Sequence, residues 1–223
     1  MENSTEPPRA LPGPPPLVWA IALVFIAFEA AFALAENGVL ALGDLRWETY
    51  KKLAFFDVYF ERARAGLEVP PEFWWSFLTS AFLHGGLIHL VMNGVIFLGL
   101  GGQLANGLGS GRFLALFAVT AIGGVLAFGL LADTNGPLVG ASGALFGFFG
   151  AFKRWEWRYI RATGAPSGRF WRTIAGLVVL NLVLALAFPF DGALAWEAHL
   201  GGFVAGFLIA PLIAPRAMGP SPI

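Results

Sequence analysis

At 223 residues the chain is long enough for one ordinary domain, but 57% of its residues are apolar and only 13% charged, about half the charge of a typical soluble chain. Its 22 phenylalanines and 8 tryptophans add more apolar surface than a soluble protein of this size can hide, so the solvent is lipid. The 14 basic and 14 acidic residues cancel, which argues against nucleic acid as a partner, since phosphate binding needs a basic surface. The absence of cysteine excludes disulfides, thiolate metal sites and a cysteine nucleophile.

Residues 1–16, "MENSTEPPRALPGPPP", hold seven prolines or glycines and no apolar periodicity, and read as a disordered tail. The run 17–35, "LVWAIALVFIAFEAAFALA", ends like a signal-peptidase site. It is longer than a usual signal h-region and lacks a strongly basic start, so a retained span is favoured over a cleaved signal peptide. Glu29 within it must face protein or reach the interface.

A polar insert follows at 36–74, where five Lys/Arg and seven Asp/Glu interleave with Trp47, Tyr50, Phe55, Phe56, Tyr59 and Phe60. That mixture predicts short amphipathic helices lying partly in the headgroup region. Further apolar runs at 86–104, 112–131, 139–156, 172–189 and 196–214 bring the expected spans to six, with a short tail at 215–223. Lys153 and Arg154 are expected to close the run after Ser142 within about ten residues, so that this helix begins below the membrane surface. Lys153, Arg154, Arg158, Arg161, Arg169 and Arg172 cluster in one connection, whereas those near 132–138 and 190–197 carry no Lys or Arg. By the positive-inside rule the basic connection and both termini are cytoplasmic, and the long first loop faces outward.

The three histidines, His84, His89 and His199, all lie in or at the edge of apolar runs, where ionisable groups are costly and mark a functional interior. In "HGGLIHLVMNG", His89 and Asn93 are four apart and share a helical face, while His84 sits at the entrance of the span. His199 is followed on one face by Gly202 and Gly206, and Ser142 by Gly143, Gly147 and Gly150. Small residues at such spacing let membrane helices meet backbone to backbone. If these two faces pack together, Ser142 and His199 come to one depth, the minimum for a hydroxyl nucleophile activated by an imidazole. No Asp or Glu is placed to orient His199, which makes a dyad rather than a triad. His89, Asn93 and the Ser142 amide are candidate donors to an oxyanion. Taken singly, each feature also reads as packing or as an interfacial polar residue. Their combination at similar depth in different spans is what packing leaves unexplained.

Together these residues resemble the rhomboid family of intramembrane serine proteases over about residues 72–214. "HGGLIHLVMN" fits the family's H-x-x-x-x-H-x-x-x-N, giving His84, His89 and Asn93. "GASG" fits its G-x-S-G, giving Gly140, Ser142 and Gly143, and "AHLGGFVAG" fits its A-H-x-x-G-x-x-x-G, giving Ala198, His199, Gly202 and Gly206. The resemblance implies an all-α bundle of six transmembrane helices over 17–214, with a cavity open to the outer side and the fifth span as lateral gate beside a mobile cap loop. It implies Ser142 as nucleophile, His199 as base, and His89 and Asn93 in the oxyanion hole. Transmembrane segments of other proteins would be the substrates, the lipid bilayer the surroundings, and neither cofactor nor metal is implied. By size the chain reads as the minimal bacterial form, set in the inner membrane. The family commonly carries a Trp-Arg pair before the second span, and here Trp75 is followed by Ser76.

Other classes fit less well. A catalytically inactive relative that escorts membrane proteins typically lacks the serine or the histidine, and both are here. A metal enzyme or transporter built on the histidines meets the five-residue spacing of His84 and His89, which does not stack two imidazoles, and the lack of HExxH.

Overall fold

The computed structural model describes residues 12–134, 136–187 and 195–214. The proline-rich segment gives way to helix at Pro16, because a proline in the first turn forfeits only a backbone donor that has no partner there. Helix α1 (Pro16–Glu36) is followed by α2 (Leu45–Leu53), the two-residue strand β1 (Phe55–Phe56), α3 (Asp57–Arg64) and α4 (Glu72–Thr79). Then come α5 (Leu87–Ile96), a π-helical turn (Phe97–Gly101) that leads without a break into α6 (Gly102–Leu108), and α7 (Ser110–Leu131). Strand β2 (Pro137–Leu138), α8 (Ser142–Thr163), α9 (Gly168–Ala187) and α10 (Trp196–Ile209) complete the order, with a 3₁₀ turn at Ala210–Ile213. Among the described residues the protein is all-α apart from those two short strands, which pair antiparallel with Phe55 opposite Leu138.

Four stretches of the described residues are helical, long and apolar enough to cross a membrane: Pro16–Glu36, Leu87–Leu108, Ser110–Leu131 and Trp196–Ile213. They match four of the expected spans, and α8 and α9 occupy the places of the other two. The 1–11 and 215–223 parts of the expected tails lie outside the described residues, as do residues 188–194, which include most of the expected cap loop.

The span after Ser142 needs correction. Its helix begins at Ser142 rather than 139, because the chain just before it is extended and pairs with β1. Nor is it short, for α8 runs through Lys153 and Arg154 to Thr163. Lys153 is buried, ion-paired with Glu156 and 5.6 Å from the centre of the Phe170 ring, while the Arg154 guanidinium lies 5.2 Å from that of Phe207. A carboxylate and two ring faces compensate the charges, so they do not end the helix. Gly164, with φ +71°, ends it in the left-handed conformation. The depth of Ser142 therefore does not follow from the length of its helix.

The main core is a phenylalanine cluster in which Phe97 contacts Phe25, Phe113, Phe117 and Phe148. A second cluster around fully buried Phe55 fastens the insert to α7 through Phe128. The Trp155 indole donates to Ala210 O at 2.9 Å, tying the middle of α8 to the end of α10.

Glu29, the carboxylate within the first span, faces protein and is 4% exposed. Arg46 of α2 grips it with both terminal nitrogens, at 3.0 and 2.9 Å, and reaches Glu36 through Nε at 2.6 Å. The same guanidinium donates to His84 O at 2.8 Å, beside the Tyr50 hydroxyl at 2.7 Å. Burial raises the Tyr50 phenol above its ordinary value, which keeps the donated proton in place. Removing one partner of a buried pair strands the other charge, so Arg46→Ala should cost about 3 kcal/mol in a thermal melt in detergent. Lys51→Ala, which loses only an exposed pair with Glu48, should leave the midpoint unmoved.

Candidate active site

Ser142 opens α8, so its backbone N–H is one of the unpaired donors at the start of a helix. His199 lies in the first turn of α10 and is 3% exposed. Their side chains meet, with His199 Nε2 2.9 Å from Ser142 Oγ. The other ring nitrogen, Nδ1, lies 2.6 Å from Asn181 Oδ1 of α9. One turn along α8 from the serine, the Phe146 ring stacks on the imidazole with centroids 4.2 Å apart and planes 6° from parallel.

Backbone approach makes the pairing possible. A Cβ on Gly202 would overlap Gly143 O, one on Gly206 would overlap Gly147 O, and one on Gly150 would overlap Phe203 O. The glycine faces expected to bring α8 and α10 together therefore do so. Helix α7 closes the third side, where a Cβ on Gly124 would stand 2.9 Å from Ala198 O and fully buried Thr120 fills the space beside Gly147.

Gly140 carries a second constraint. Its φ is +119°, open to glycine but strained for any other residue. A Cβ there would also stand 2.7 Å from the His89 ring. His89 of α5 is thus brought against the loop that precedes Ser142, with its Nδ1 accepting from Gly85 N at 3.2 Å. Asn93, one turn along α5, is buried and its amide donates to His89 O at 2.9 Å, leaving Oδ1 without a partner. His84 precedes α5, 1% exposed, with both ring nitrogens unpartnered and its ring edge-on to Phe25 and His89 at 5.1 Å. A cavity of about 10 Å³, room for about one water, lies beside Ser142 and is lined also by Ser80, Gly140 and Gly143.

A hydroxyl bonded to an imidazole nitrogen, at a helix start and beside a glycine loop, is an arrangement for nucleophilic attack. The sequence model of the rhomboid domain matches residues 71–216. The chain belongs to the rhomboid family. Rhomboid protease GluP of Bacillus subtilis (strain 168) is 32% identical over 146 residues, which is 65% of this chain and 27% of GluP. RHOMBOID-like protein 5 of Arabidopsis thaliana is 33% identical over 149 residues, 64% of this chain and 45% of the relative. RHOMBOID-like protein 1 of the same plant is 31% identical over 188 residues, 83% of this chain and 43% of the relative. In each case the match spans less than half of the relative's length.

All three rhomboid motifs fall inside the matched stretch. Ser142 and His199 are hydrogen-bonded, Gly140, Gly143, Gly202 and Gly206 form the close contacts around them, and His89 packs on Gly140. His84 and Asn93 remain beside His89 and make no hydrogen bond to the serine or to His199. Three contributors escaped sequence reasoning. Phe146 is one of 22 phenylalanines, and only its place one turn after Ser142 could have singled it out. Asn181 stood out only as an amide in an apolar run, and Arg46 only as one of five basic residues in the insert.

Where the rhomboid family commonly has arginine, Ser76 is buried and its hydroxyl donates to Phe73 O at 2.7 Å. Trp75 donates to Lys52 O at 2.7 Å, and Arg46 supplies the cation that braces the loop against α1 and His84. No group of three or more His, Cys, Asp or Glu is arranged to hold a metal among the described residues.

Gly202→Val should push α10 off α8, costing about 2 kcal/mol of stability by overpacking. Gly176→Ala on α9, where a Cβ meets open space, should not lower the thermal midpoint.

Proposed function

We propose that this rhomboid is an intramembrane serine protease that cuts transmembrane segments of other membrane proteins with Ser142 and His199. The observation that carries this reading is the 2.9 Å contact between Ser142 Oγ and Nε2 of buried His199. Serine alone is a poor nucleophile near neutral pH, and the imidazole takes its proton as Oγ attacks the scissile carbonyl. The tetrahedral oxyanion forms at the start of α8, where the Ser142 amide points and the helix dipole favours negative charge. His89 and Asn93 are the further donors assigned to it. His199 then passes the proton to the leaving amine, and water, deprotonated by the same imidazole, releases the acyl group.

Family membership supports the substrate class, since a membrane-embedded nucleophile meets other membrane segments before soluble chains. Small or helix-breaking residues near the surface would let such a segment unwind into the site, with α9 as the side of entry. The Lys and Arg residues in the second half of α8 and the start of α9 support an orientation in which this end of the bundle and both termini are cytoplasmic, in a bacterial inner membrane.

A fluorophosphonate probe added to detergent-solubilised chain should label the wild type, and neither Ser142→Ala nor His199→Ala. Labelling that persists in Ser142→Ala would remove that residue as nucleophile. A folded wild type that never labels would instead favour the escort reading. Asn93→Ala should lower turnover of a reconstituted transmembrane substrate by on the order of 10- to 1000-fold, more than its stability loss explains. Wild-type turnover in that variant would return Asn93 to packing.

A further inference from the structure

Asn181 is the single polar residue in the α9 stretch "LVVLNLVLALA", where an amide turned to lipid is expensive. Its side chain turns instead to His199, and Oδ1 approaches Nδ1 to 2.6 Å. A carbonyl oxygen only accepts, so this contact is a hydrogen bond when Nδ1 carries the ring proton. The nitrogen left with a free lone pair is then Nε2, the one that faces Ser142 at 2.9 Å. That is the tautomer a general base needs. Phe146 holds the plane of the ring by stacking, but stacking distinguishes neither the two tautomers nor the two ring orientations related by a half-turn about Cβ–Cγ. A partner at Nδ1 distinguishes both.

Resting on the protease reading above, we propose that Asn181 is a positioning residue that holds His199 as the Nδ1–H tautomer and aligns Nε2 with Ser142. It stands where a triad places its carboxylate, and it orients the base with a neutral dipole in place of a charge. A buried carboxylate in this apolar setting would need compensation that an amide does not. The amide arrives on α9, whose neighbouring Val178, Val179, Leu182 and Val183 are exposed. The alignment of His199 therefore depends on α9 being seated.

The test measures the maximal inactivation rate constant and the half-saturating concentration for a fluorophosphonate probe on the purified full chain, with a thermal melt of each variant. Asn181→Leu, close in shape but without an acceptor, should lose about ten-fold or more in the maximal rate. Its half-saturation and melting midpoint should stay within about two-fold and a few degrees of wild type. Asn181→Asp restores an acceptor and should recover most of the lost rate. A helix-packing role would not separate these two variants at equal stability. An Asn181→Leu rate equal to wild type overturns the proposal, as does a folded Asn181→Asp as slow as Asn181→Leu. Should Asn181→Leu fail to fold, Asn181→Ala takes its place in the comparison. Failure of the wild type to label, or labelling of Ser142→Ala, sinks the protease reading and this inference together. Ser142-dependent labelling with an unmoved rate in Asn181→Leu sinks the role of Asn181 alone.

Discussion

The contact between α8 and α10 is the constraint on which the rest of the site depends. In lipid, helices gain nothing by hiding apolar surface from water, so association rests on close packing and on whatever polar contacts that closeness allows. Here Gly202 lies against Gly143 O, Gly206 against Gly147 O and Gly150 against Phe203 O, which leaves no volume for a side chain along the seam. Because the stripe runs over two turns, it fixes the rotation of each helix as well as its distance. Ser142 directly precedes the first of these glycines, and His199 is three residues before Gly202, on the same face. The pairing of hydroxyl and imidazole is thus where the seam begins, and helix packing supplies most of its precision.

The first loop meets its own requirement by substitution of parts. The segment before α5 must be held, since it carries His84 and leads to the His89 that packs on Gly140. With Ser76 where an arginine is common in the family, the cation comes from α2, about thirty positions earlier in the chain. Arg46 joins Glu29 of α1, Glu36 and the His84 carbonyl into one network, with its charge also over the Phe32 ring at 4.7 Å. A single guanidinium has enough donors in a planar fork to satisfy all three groups, which a lysine would not. The intramembrane Glu29 is in this sense part of the loop's anchorage, and its burial is compensated there.

Much of this was legible in the sequence because membrane segments announce themselves by composition. The spans beginning at Pro16, Leu87, Ser110 and Trp196 follow from long, predominantly apolar runs, and the glycine spacing on α8 and α10 gives their mutual face. The reading failed where tertiary contacts overrode local character. Lys153 and Arg154 look like the end of a helix until Phe170 of α9 and Phe207 of α10 are brought beside them, adding to the pair Lys153 makes with Glu156 one turn along. The Phe146 ring was invisible for a related reason, and the Asn181 amide offered only its polarity in an apolar run as a signal. Nothing local distinguishes a side chain that will meet His199 from one that will meet lipid, and only the three-dimensional approach of α8, α9 and α10 decides it.

The same geometry distributes the parts of the proposed chemistry unevenly among the helices. Helix α8 contributes Ser142 and the Phe146 face, and α10 is locked to it through the glycines and through Trp155. Among its described side chains α9 contributes only Asn181 to this group, and most of its described apolar side chains are exposed. Hydroxyl and ring therefore share a rigid frame, whereas the group that sets the tautomer belongs to the most loosely packed neighbour. A displacement of α9 would leave the backbones of Ser142 and His199 at their distance but free the imidazole to flip about Cβ–Cγ or to exchange its tautomer. On the protease reading this makes the alignment of the base, and not the proximity of the nucleophile, the property that responds when a segment enters between α9 and the rest of the bundle.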